Sequence, residues 1–276
     1  MTLRSFNEHP LGDYLVALRA MTPLVHCITN YVAMNSTANL LLATGASPAM
    51  LHAKEEAAEF AAISCALAIN IGTISTPWAE AMLMATSTAN RQGIPWVLDP
   101  VAVGATHFRQ TLCAKLLPHQ PTVIRGNSSE ILTLNGLSSQ GRGVDTTAST
   151  QDTSATTAAV ALARQHRCIV AMTGQKDFIT NGTNHYYLKG GHALMPRITA
   201  LGCGLSALVA GFVAAEKAHP FEACIAALAC FAVAGSQAGQ YATGPGSFEV
   251  ALLDALYQLT PNNLSTLAQL EAVHAV

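Results

Sequence analysis

The sequence predicts an α/β fold with a mostly parallel central sheet, helices on both faces of the sheet and an antiparallel hairpin at one edge. Short β-branched segments that end in Gly, Asn or Asp alternate with longer segments rich in Ala and Leu. This alternation is typical of βαβ units. A later segment, DFITNGTNHYYL, contains two alternating stretches around Asn181-Gly182, which is a strong hairpin signal.

The parallel strands are predicted from six apolar segments, at residues 23–28, 46–50, 66–71, 94–98, 121–125 and 168–172. Helices are predicted at about residues 35–43, 54–64, 77–92, 107–117, 128–135 and 153–166. Ser, Thr and Gly dominate residues 138–157, so we expect a loop there that leads into a helix. Because no repeat or domain linker is visible, we expect a single domain over residues 1–276.

Three long helical segments are predicted in the last part of the chain, at residues 204–218, 221–240 and 248–259. The middle segment is apolar nearly all round, which indicates a buried helix. Its longest apolar stretch, residues 223–234, is shorter than the roughly 20 residues that span a bilayer. We therefore expect no membrane as a partner.

Charge is scarce in this chain of 276 residues, since charged residues make up 11% and hydrophobic residues 50%. Fourteen Lys and Arg against sixteen Asp and Glu give a net charge of −2, which argues against nucleic acid as a partner because its phosphates need a basic surface. With so few charges to cover its surface, the chain is expected to bury apolar surface against further copies of itself. We expect a homo-oligomer.

The cysteines and histidines exclude two classes of protein. The seven cysteines are odd in number and include no C-x-x-C pair, which argues against a disulfide framework and a zinc cage. The ten histidines show no H-x-x-x-H or H-E-x-x-H spacing, so we expect no transition-metal site. Because the first 23 residues have no uninterrupted apolar stretch, we expect no signal peptide and a cytoplasmic protein.

Polar residues follow five of the predicted strands, and in an open α/β sheet the carboxyl ends of the strands bind ligands. These ends are His26 to Asn30, Asn70 to Thr73, Leu98 to Pro100, Ile124 to Asn127 followed by Glu130, and Met172 to Gly174. Each one alone is ordinary turn chemistry. Five polar ends at one edge of a sheet favour a functional site.

Asp99, Arg125 and Glu130 are the charged members of this set. Together they suit phosphoryl transfer, with carboxylates for Mg²⁺ and a cation for the phosphates. A structural alternative remains open, in which Arg125 and Glu130 form a local salt bridge and Asp99 caps a helix. Neither a Walker A segment nor a G-x-S-x-G segment occurs, which argues against P-loop enzymes and α/β-hydrolases.

A turn of small residues, Thr199 to Gly204, leads into a predicted helix. The start of a helix offers free backbone N–H groups and a positive dipole end, which hold an anion. The same field favours the thiolate form of Cys203. Close packing explains the glycines equally well.

Nine segments of the chain resemble the hydroxyethylthiazole kinase family, within the ribokinase-like superfamily, from about residue 20 to about residue 260. They are PLVHCITNYV (23–32), GASPAM (45–50), NIGT (70–73), VLDPVAVGA (97–105), VIRGNSSEI (123–131), GRGVDTT (141–147), AMTGQKDFITNG (171–182), GCGLSALVA (202–210) and GPGSF (244–248). The resemblance implies a ribokinase-like three-layer sandwich.

This resemblance also implies an activity, the transfer of the γ-phosphate of ATP to the hydroxyl of 4-methyl-5-(2-hydroxyethyl)thiazole in thiamine biosynthesis and salvage. It implies Mg²⁺ as a cofactor and a homotrimer with the substrate pocket between subunits. Two alternatives stay open: another ribokinase-like kinase of a small alcohol, and a weakly active relative that acts as a ligand-binding sensor.

The resemblance further implies roles for single residues. For the thiazole it implies a pocket lined by Asn30, Val32, Met50 and Ala200, with Met50 acting through its backbone. For the nucleotide it implies contacts from Arg125 and Thr173. For Mg²⁺ and the phosphates it implies Asp99 and Glu130.

Gly202 and Cys203 occupy the catalytic position that the resemblance implies, where most ribokinase-like enzymes have an Asp base. A thiol is a poor base for an alcohol, so we expect Cys203 mainly to position the hydroxyl. The family turn is usually Thr-Gly-(Thr or Ala)-Gly-Cys, whereas this chain has Ala200 and Leu201 before Gly202. Because Ala tolerates a positive φ poorly, we expect an impaired turn if the backbone is left-handed there.

Overall fold

The computed structural model describes residues 6, 9–138 and 148–273. The motif segment 141–147 and most of the predicted loop before residue 148 lie outside the described residues. The strands are β1 (Leu24–Ile28), β2 (Ser47–Met50), β3 (Ala66–Asn70), β4 (Trp96–Asp99), β5 (Val123–Asn127), β6 (Ile169–Thr173), β7 (Asp177–Thr180), β8 (His185–Lys189) and β9 (Gln269–Val273).

The helices alternate with the strands up to β6 and then dominate the last third of the chain. They are α1 (Leu11–Met21), α2 (Met34–Thr44), α3 (Lys54–Ile63), α4 (Thr76–Gln92), α5 (His107–Leu116), α6 (Ser128–Ser138), α7 (Ala148–His166), α8 (Leu201–Ala215), α9 (Pro220–Gly239), α10 (Pro245–Gln258) and α11 (Pro261–Leu267).

The described strands form one sheet in the order β2-β1-β3-β4-β5-β6-β7-β8-β9. Neighbours from β2 to β6 run parallel, and β7, β8 and β9 are joined to the sheet by antiparallel pairs. The parallel sheet and the antiparallel hairpin β7–β8 confirm the predicted fold class. The sequence did not predict β9, which extends the edge by one strand.

Side chains that alternate along each strand build two separate cores, one on each face of the sheet. In β1, Val25 and Cys27 lie in the core formed with α1, α2 and α8 to α11. Ile28 lies in the core formed with α3 to α7. Helices therefore cover both faces, and the predicted three-layer arrangement is confirmed.

Helix α9 is long and apolar enough to cross a membrane, yet 89% of its most apolar stretch is buried inside the protein. It packs against α8 and α10, so the prediction of a buried helix is confirmed. Helix α7 begins at Ala148 and α8 at Leu201, before the predicted starts at residues 153 and 204. Gly202 and Cys203 therefore lie in the first turn of α8 instead of preceding it.

Helix α8 is positioned by close contact with α2. A Cβ added to Gly204 would lie 2.2 Å from Cδ1 of Leu40, so glycine allows the two helices to approach. On its other side α8 packs against β3 and β4. The N-terminus of α8 is thereby held at the carboxyl edge of the sheet, beside the ends of the central strands.

Candidate active site

A cleft of about 540 Å³ lies at the carboxyl edge of the sheet, beside the N-terminus of α8. Its lining includes seven of the residues singled out in the sequence, which are Asp99, Arg125, Glu130, Thr173, Ala200, Gly202 and Cys203. A larger cleft of about 890 Å³ lies at the opposite edge, near the amino ends of β5 and β6, and contains none of them. The predicted convergence of strand ends occurs in the smaller cleft.

Asp99 ends β4 and is 1% exposed. Its Oδ2 accepts hydrogen bonds from Nδ2 of Asn70 at 2.7 Å and from Oγ of Ser206 at 2.9 Å. Its Oδ1 is buried and has no hydrogen-bond partner among the described residues. Nη1 of Arg125 is 4.0 Å from Oδ2. One oxygen of the carboxylate is thus held firmly, while the other is buried without a protein partner in a residue that lines the cleft.

Burial raises the pKa of Asp99 from 3.8 to about 6, and the nearby charge of Glu130 acts in the same direction. The Arg125 guanidinium and the hydrogen bonds from Ser206 and Asn70 oppose this rise in pKa. The carboxylate is therefore mostly ionised at neutral pH, although its burial makes the charge unfavourable.

A chain of side-chain hydrogen bonds connects Cys203 to Asp99. Nδ2 of Asn30 donates to Sγ of Cys203 at 3.2 Å and to Oδ1 of Asn70 at 2.8 Å. The amide of Asn70 in turn donates to Asp99. The hydrogen bonds therefore fix the distance between the thiol at one end of the cleft and the carboxylate at the other, through residues at the ends of β1 and β3.

Burial, followed by the charge of Asp99, raises the pKa of the Cys203 thiol. The hydrogen bonds from Asn30 and Asn70 and the charge of Arg125 oppose this rise. The expectation that the helix start favours a thiolate is therefore wrong, because burial beside a carboxylate outweighs the dipole. Cys203 is a neutral thiol at pH 7.

Arg125 lies between the carboxylate and the antiparallel edge of the sheet. Its Nη2 donates to Oγ1 of Thr173 at 2.6 Å. A Cβ added to Gly202 would lie 2.7 Å from Nη1 of Arg125, so glycine at this position lets the guanidinium approach the first turn of α8 closely. The cation therefore lies beside the free N–H groups of the helix, where an anion is favoured.

The carboxylate of Glu130 is buried and accepts hydrogen bonds only from backbone N–H groups in the described network. Its Oε1 accepts from the N–H of Ala102 at 2.9 Å and its Oε2 from the N–H of Asn127 at 2.8 Å. Among the described ion pairs Arg125 contacts Asp99 and not Glu130, so the structural alternative of an Arg125–Glu130 salt bridge is wrong. Glu130 fixes the loop after β4 against the start of α6.

Ala200, directly before α8, has φ 67° and ψ −5°. This is the left-handed region, which costs a residue with a side chain roughly 1–2 kcal/mol. Its carbonyl accepts the first helical hydrogen bond, from the N–H of Gly204 at 2.9 Å. The condition for an impaired turn, a positive φ at Ala200, is therefore met.

Three candidate residues lie outside the 540 Å³ cleft, which are Asn30, Val32 and Met50. Asn30 is buried and reaches the cleft through its hydrogen bond to Cys203. Val32 is 58% exposed, and Met50 ends β2 as a partly buried residue. Within the described residues of one chain these side chains do not form an enclosed pocket.

Two residues in or beside the cleft, Ser206 and Asp177, were not singled out by sequence reasoning, whereas Asn70 was named there as a polar strand end. Asn70 and Ser206 hold Asp99, and Oδ1 of Asp177 accepts from the N–H of Gly174 at 3.0 Å. Burial raises the pKa of Asp177 to about 6. The spacing Cys203 to Ser206, which puts both residues on one helix face, is the signal that could have identified Ser206.

The described residues contain no cluster of three or more His, Cys, Asp or Glu that could hold a metal ion alone. The free Oδ1 of Asp99 is nonetheless a hard oxygen ligand of the kind that Mg²⁺ prefers. Mg²⁺ commonly uses one or two carboxylates together with phosphate oxygens. Asp99 therefore fits Mg²⁺ that arrives with a phosphorylated substrate.

Comparisons with known proteins agree with this geometry. The model of the hydroxyethylthiazole kinase family matches residues 15–262. The hydroxyethylthiazole kinase of Rhizobium rhizogenes is 56% identical over 248 residues, which cover 90% of this chain and 92% of the relative. That of Cereibacter sphaeroides is 54% identical and covers 95% of this chain and 98% of the relative.

Solved structures show the same architecture. The hydroxyethylthiazole kinase protein from Pyrococcus horikoshii OT3 has a TM-score of 0.88 at 39% identity, with 95% of this chain and 98% of that chain covered. The pyridoxal kinase from Staphylococcus aureus has a TM-score of 0.65 at 17% identity, with 91% and 98% covered. This second likeness concerns the ribokinase-like fold alone.

The buried charge of Asp99 generates a prediction on stability. Because its pKa of about 6 in the folded chain exceeds its ordinary 3.8, the carboxyl group stabilises the fold at low pH. This contribution is lost as pH rises through about 6. In Mg²⁺-free urea denaturation at pH 8, Asp99→Asn should therefore be more stable than the parent by about 1–3 kcal/mol.

The gain from Asp99→Asn should shrink as the pH is lowered from 8 to 4. Asp13→Asn, an exposed change on α1, removes the same charge without burial and is the control. An equal gain for Asp99→Asn at both ends of the pH range would contradict the raised pKa.

Proposed function

The chain belongs to the hydroxyethylthiazole kinase family, and we propose that it transfers the γ-phosphate of ATP to the hydroxyl of 4-methyl-5-(2-hydroxyethyl)thiazole. The observation that carries the proposal is the buried Asp99, with one free oxygen, beside Arg125 and the N-terminus of α8. This arrangement offers a metal ligand, a cation and free N–H groups within one cleft, which is what phosphoryl transfer needs.

The phosphates of ATP bind between Arg125 and the first turn of α8. Backbone N–H groups there are directed along the helix axis toward the cleft and cost no reorganisation during the reaction. Asp99, with Glu130 nearby, would hold Mg²⁺, which when bound would supply positive charge that offsets the charge on the phosphates. Thr173, bonded to Arg125, holds the guanidinium in place on the nucleotide side.

In the chemical step a bond forms between the substrate hydroxyl oxygen and the γ-phosphorus. The bond from the γ-phosphorus to the oxygen bridging to the β-phosphate breaks, and ADP leaves with that electron pair. The hydroxyl proton passes to an oxygen of the transferred phosphoryl group. Cys203, a neutral thiol, positions the hydroxyl in line with the phosphate instead of removing its proton, and Asn30 fixes the thiol.

The thiazole ring binds against Asn30, Val32, Ala200 and the backbone of Met50, in a pocket completed by another copy of the chain. The exposure of Val32 supports this, because a ring-binding side chain that is 58% exposed in one chain needs a covering surface. Tyr31 beside it is 67% exposed and Ile63 is 69% exposed. We assign the assembly as a homotrimer, following the family.

The described strands form a single sheet, which supports one kinase domain for the whole chain. All seven cysteines are free, which supports a reducing compartment and hence the cytoplasm. The composition, with a net charge of −2, supports small-molecule substrates over nucleic acid.

The proposed activity is tested by a coupled ADP-release assay with purified protein, ATP and Mg²⁺. Hydroxyethylthiazole should support turnover, whereas pyridoxal, a sugar and a hydroxymethylpyrimidine should support little. The expected product, the thiazole phosphate, is identified by mass spectrometry. Turnover with a competing alcohol and none with the thiazole would overturn the proposal.

Replacement of Cys203 tests whether the thiol acts only by positioning. Cys203→Ala should retain measurable kcat, since a full general base is worth roughly 10²- to 10⁴-fold. Cys203→Asp should raise kcat, because Asp99 nearby raises the pKa of the new carboxyl and makes it a better base. A folded Cys203→Ala variant with a loss beyond that range would show that the thiol takes part in proton transfer.

The strained turn generates a prediction of higher activity. Ala200→Gly with Leu201→Thr should raise kcat in the ADP-release assay, because glycine relieves the left-handed strain and lets the N–H groups settle on the phosphate. The KM for the thiazole should change little unless Ala200 touches the ring. An unchanged kcat would show that the N–H groups from Gly202 onward already serve the phosphate and that the turn is not impaired.

The oligomer is tested together with substrate binding. Light scattering should report three times the chain mass of 28.8 kDa, and calorimetry across a dilution series should show thiazole binding lost as the trimer dissociates. The physical reason is that one chain leaves Val32 exposed. A fully active monomer would contradict both the assembly and the shared pocket.

A further inference from the structure

Arg109 is a cation in the first turn of α5, where the helix dipole disfavours positive charge. The N–H of Arg109 donates to the N-cap hydroxyl of Thr106, which places the residue firmly in the first turn. Among the described ion pairs, no carboxylate contacts its guanidinium. Its charge must therefore be stabilised by other groups, which marks the position as unusual.

The guanidinium of Arg109 is satisfied by backbone carbonyls from two different loops. Nη1 donates to the carbonyls of Ile71 and Val101, and Nη2 donates to the carbonyl of Gly72. Ile71 and Gly72 belong to the loop after β3, and Val101 belongs to the loop after β4. A planar fork with fixed N–H directions bridges two chain segments in a defined geometry, whereas the ammonium group of lysine is a single point with rotatable donors.

The loop after β3 supports the substrate end of the site. A Cβ added to Gly72 would lie 2.8 Å from Nδ2 of Asn30, so the backbone of this loop packs directly on the Asn30 amide. Oγ1 of Thr73 accepts from the N–H of Tyr31 at 3.1 Å. Displacement of this loop would release Asn30, which is the donor to Cys203.

The loop after β4 supports the phosphate end of the site. Ala102, next to Val101, has φ 53° and donates its N–H to Oε1 of Glu130. The same loop follows Asp99 directly. Arg109 thus holds together one loop that fixes Asn30 and another that continues from Asp99 and anchors Glu130.

We propose that Arg109 is a positioning residue that sets the distance between the alcohol-binding and the phosphate-binding halves of the site. This inference rests on the proposed function, which defines the two halves of the site. The contacts of Arg109 themselves are features of this chain and do not depend on that function. The fork acts at a distance, through Asn30 on one side and through the Asp99–Glu130 loop on the other. Its loss leaves every binding group present but shifted relative to its neighbours.

The test compares Arg109→Met and Arg109→Lys with the parent protein in steady-state kinetics. Misplacement of reacting groups without loss of binding groups should lower kcat by about 10- to 100-fold. The KM values for ATP and the alcohol should stay close to those of the parent. Arg109→Lys keeps the charge but not the fork, so it should be impaired as well.

A second readout needs no turnover. Cys203 and Cys65 are partly accessible while the other five cysteines are buried, so alkylation by iodoacetamide can be followed at each by peptide mass spectrometry. Release of Asn30 should speed alkylation of Cys203 several-fold in both variants. Cys65, directly before β3 at the amino end of the strands, should react at the parent rate.

Arg91→Met is the matched control, because Arg91 bonds only to Ser87 and Thr88 of its own helix in the described network. It loses the same charge and should keep parental kcat and Cys203 reactivity. If Arg109→Met fails to fold by circular dichroism, Arg109→Lys decides by the same two readouts.

Parental kcat and parental Cys203 reactivity in a folded Arg109 variant would overturn the inference. A rise in KM alone, without a fall in kcat, would also overturn it. If the parent protein does not phosphorylate the thiazole alcohol, the proposed function fails, and the rate of Cys203 alkylation still decides the role of Arg109.

Discussion

A buried carboxylate is unfavourable unless its oxygens are hydrogen-bonded, and Asp99 is buried at the end of a central strand. The donors to its Oδ2 come from β3 and α8, and the nearest cation comes from β5. The Asp99 side chain therefore needs β3 and β5 on either side of β4, and it needs α8 packed closely against the sheet, because these elements supply its donors and its nearest cation. Oδ1 stays unpaired among the described residues, a loss of stability of the kind that proteins accept at functional sites.

Periodicity explains which parts of the fold the sequence could predict. The parallel strands and the hairpin at Asn181-Gly182 have patterns that arise from burial on both faces or from turn chemistry. Strand β9 has mostly exposed residues and pairs with β8 through backbone groups alone, so no side-chain pattern marks it. Helix α1 buries Leu15 and Leu18, but its short amphipathic segment precedes the first strand and so lies outside the alternation of strands and helices that predicts the others.

The candidate site also has features that the sequence could predict and features that it could not. Asp99 and Arg125 could be predicted because strand ends converge in any parallel sheet, and the family resemblance supplied roles for Cys203 and Glu130. The neutral state of the Cys203 thiol could not be predicted, since it depends on burial and on Asp99, 104 positions away in sequence. The two backbone contacts of Glu130 and the left-handed φ of Ala200 likewise depend on tertiary packing.

The hydrogen-bond network leaves a small number of groups free for substrates. The N–H of Gly72 donates to Oδ1 of Asn70, which fixes that amide so that its Nδ2 must face Asp99. Asn30 is fixed in turn, because its Oδ1 accepts from the N–H of Ala33. With both amides committed, the carboxylate and the thiol that they hold still offer Oδ1 of Asp99 and the S–H of Cys203 to the cleft, beside the Arg125 guanidinium and the start of α8. In the proposed reaction, the hard acceptor at one end would suit a metal-bound phosphate and the weak donor at the other would suit the lone pair of an alcohol, so the network would set the direction in which the two substrates lie.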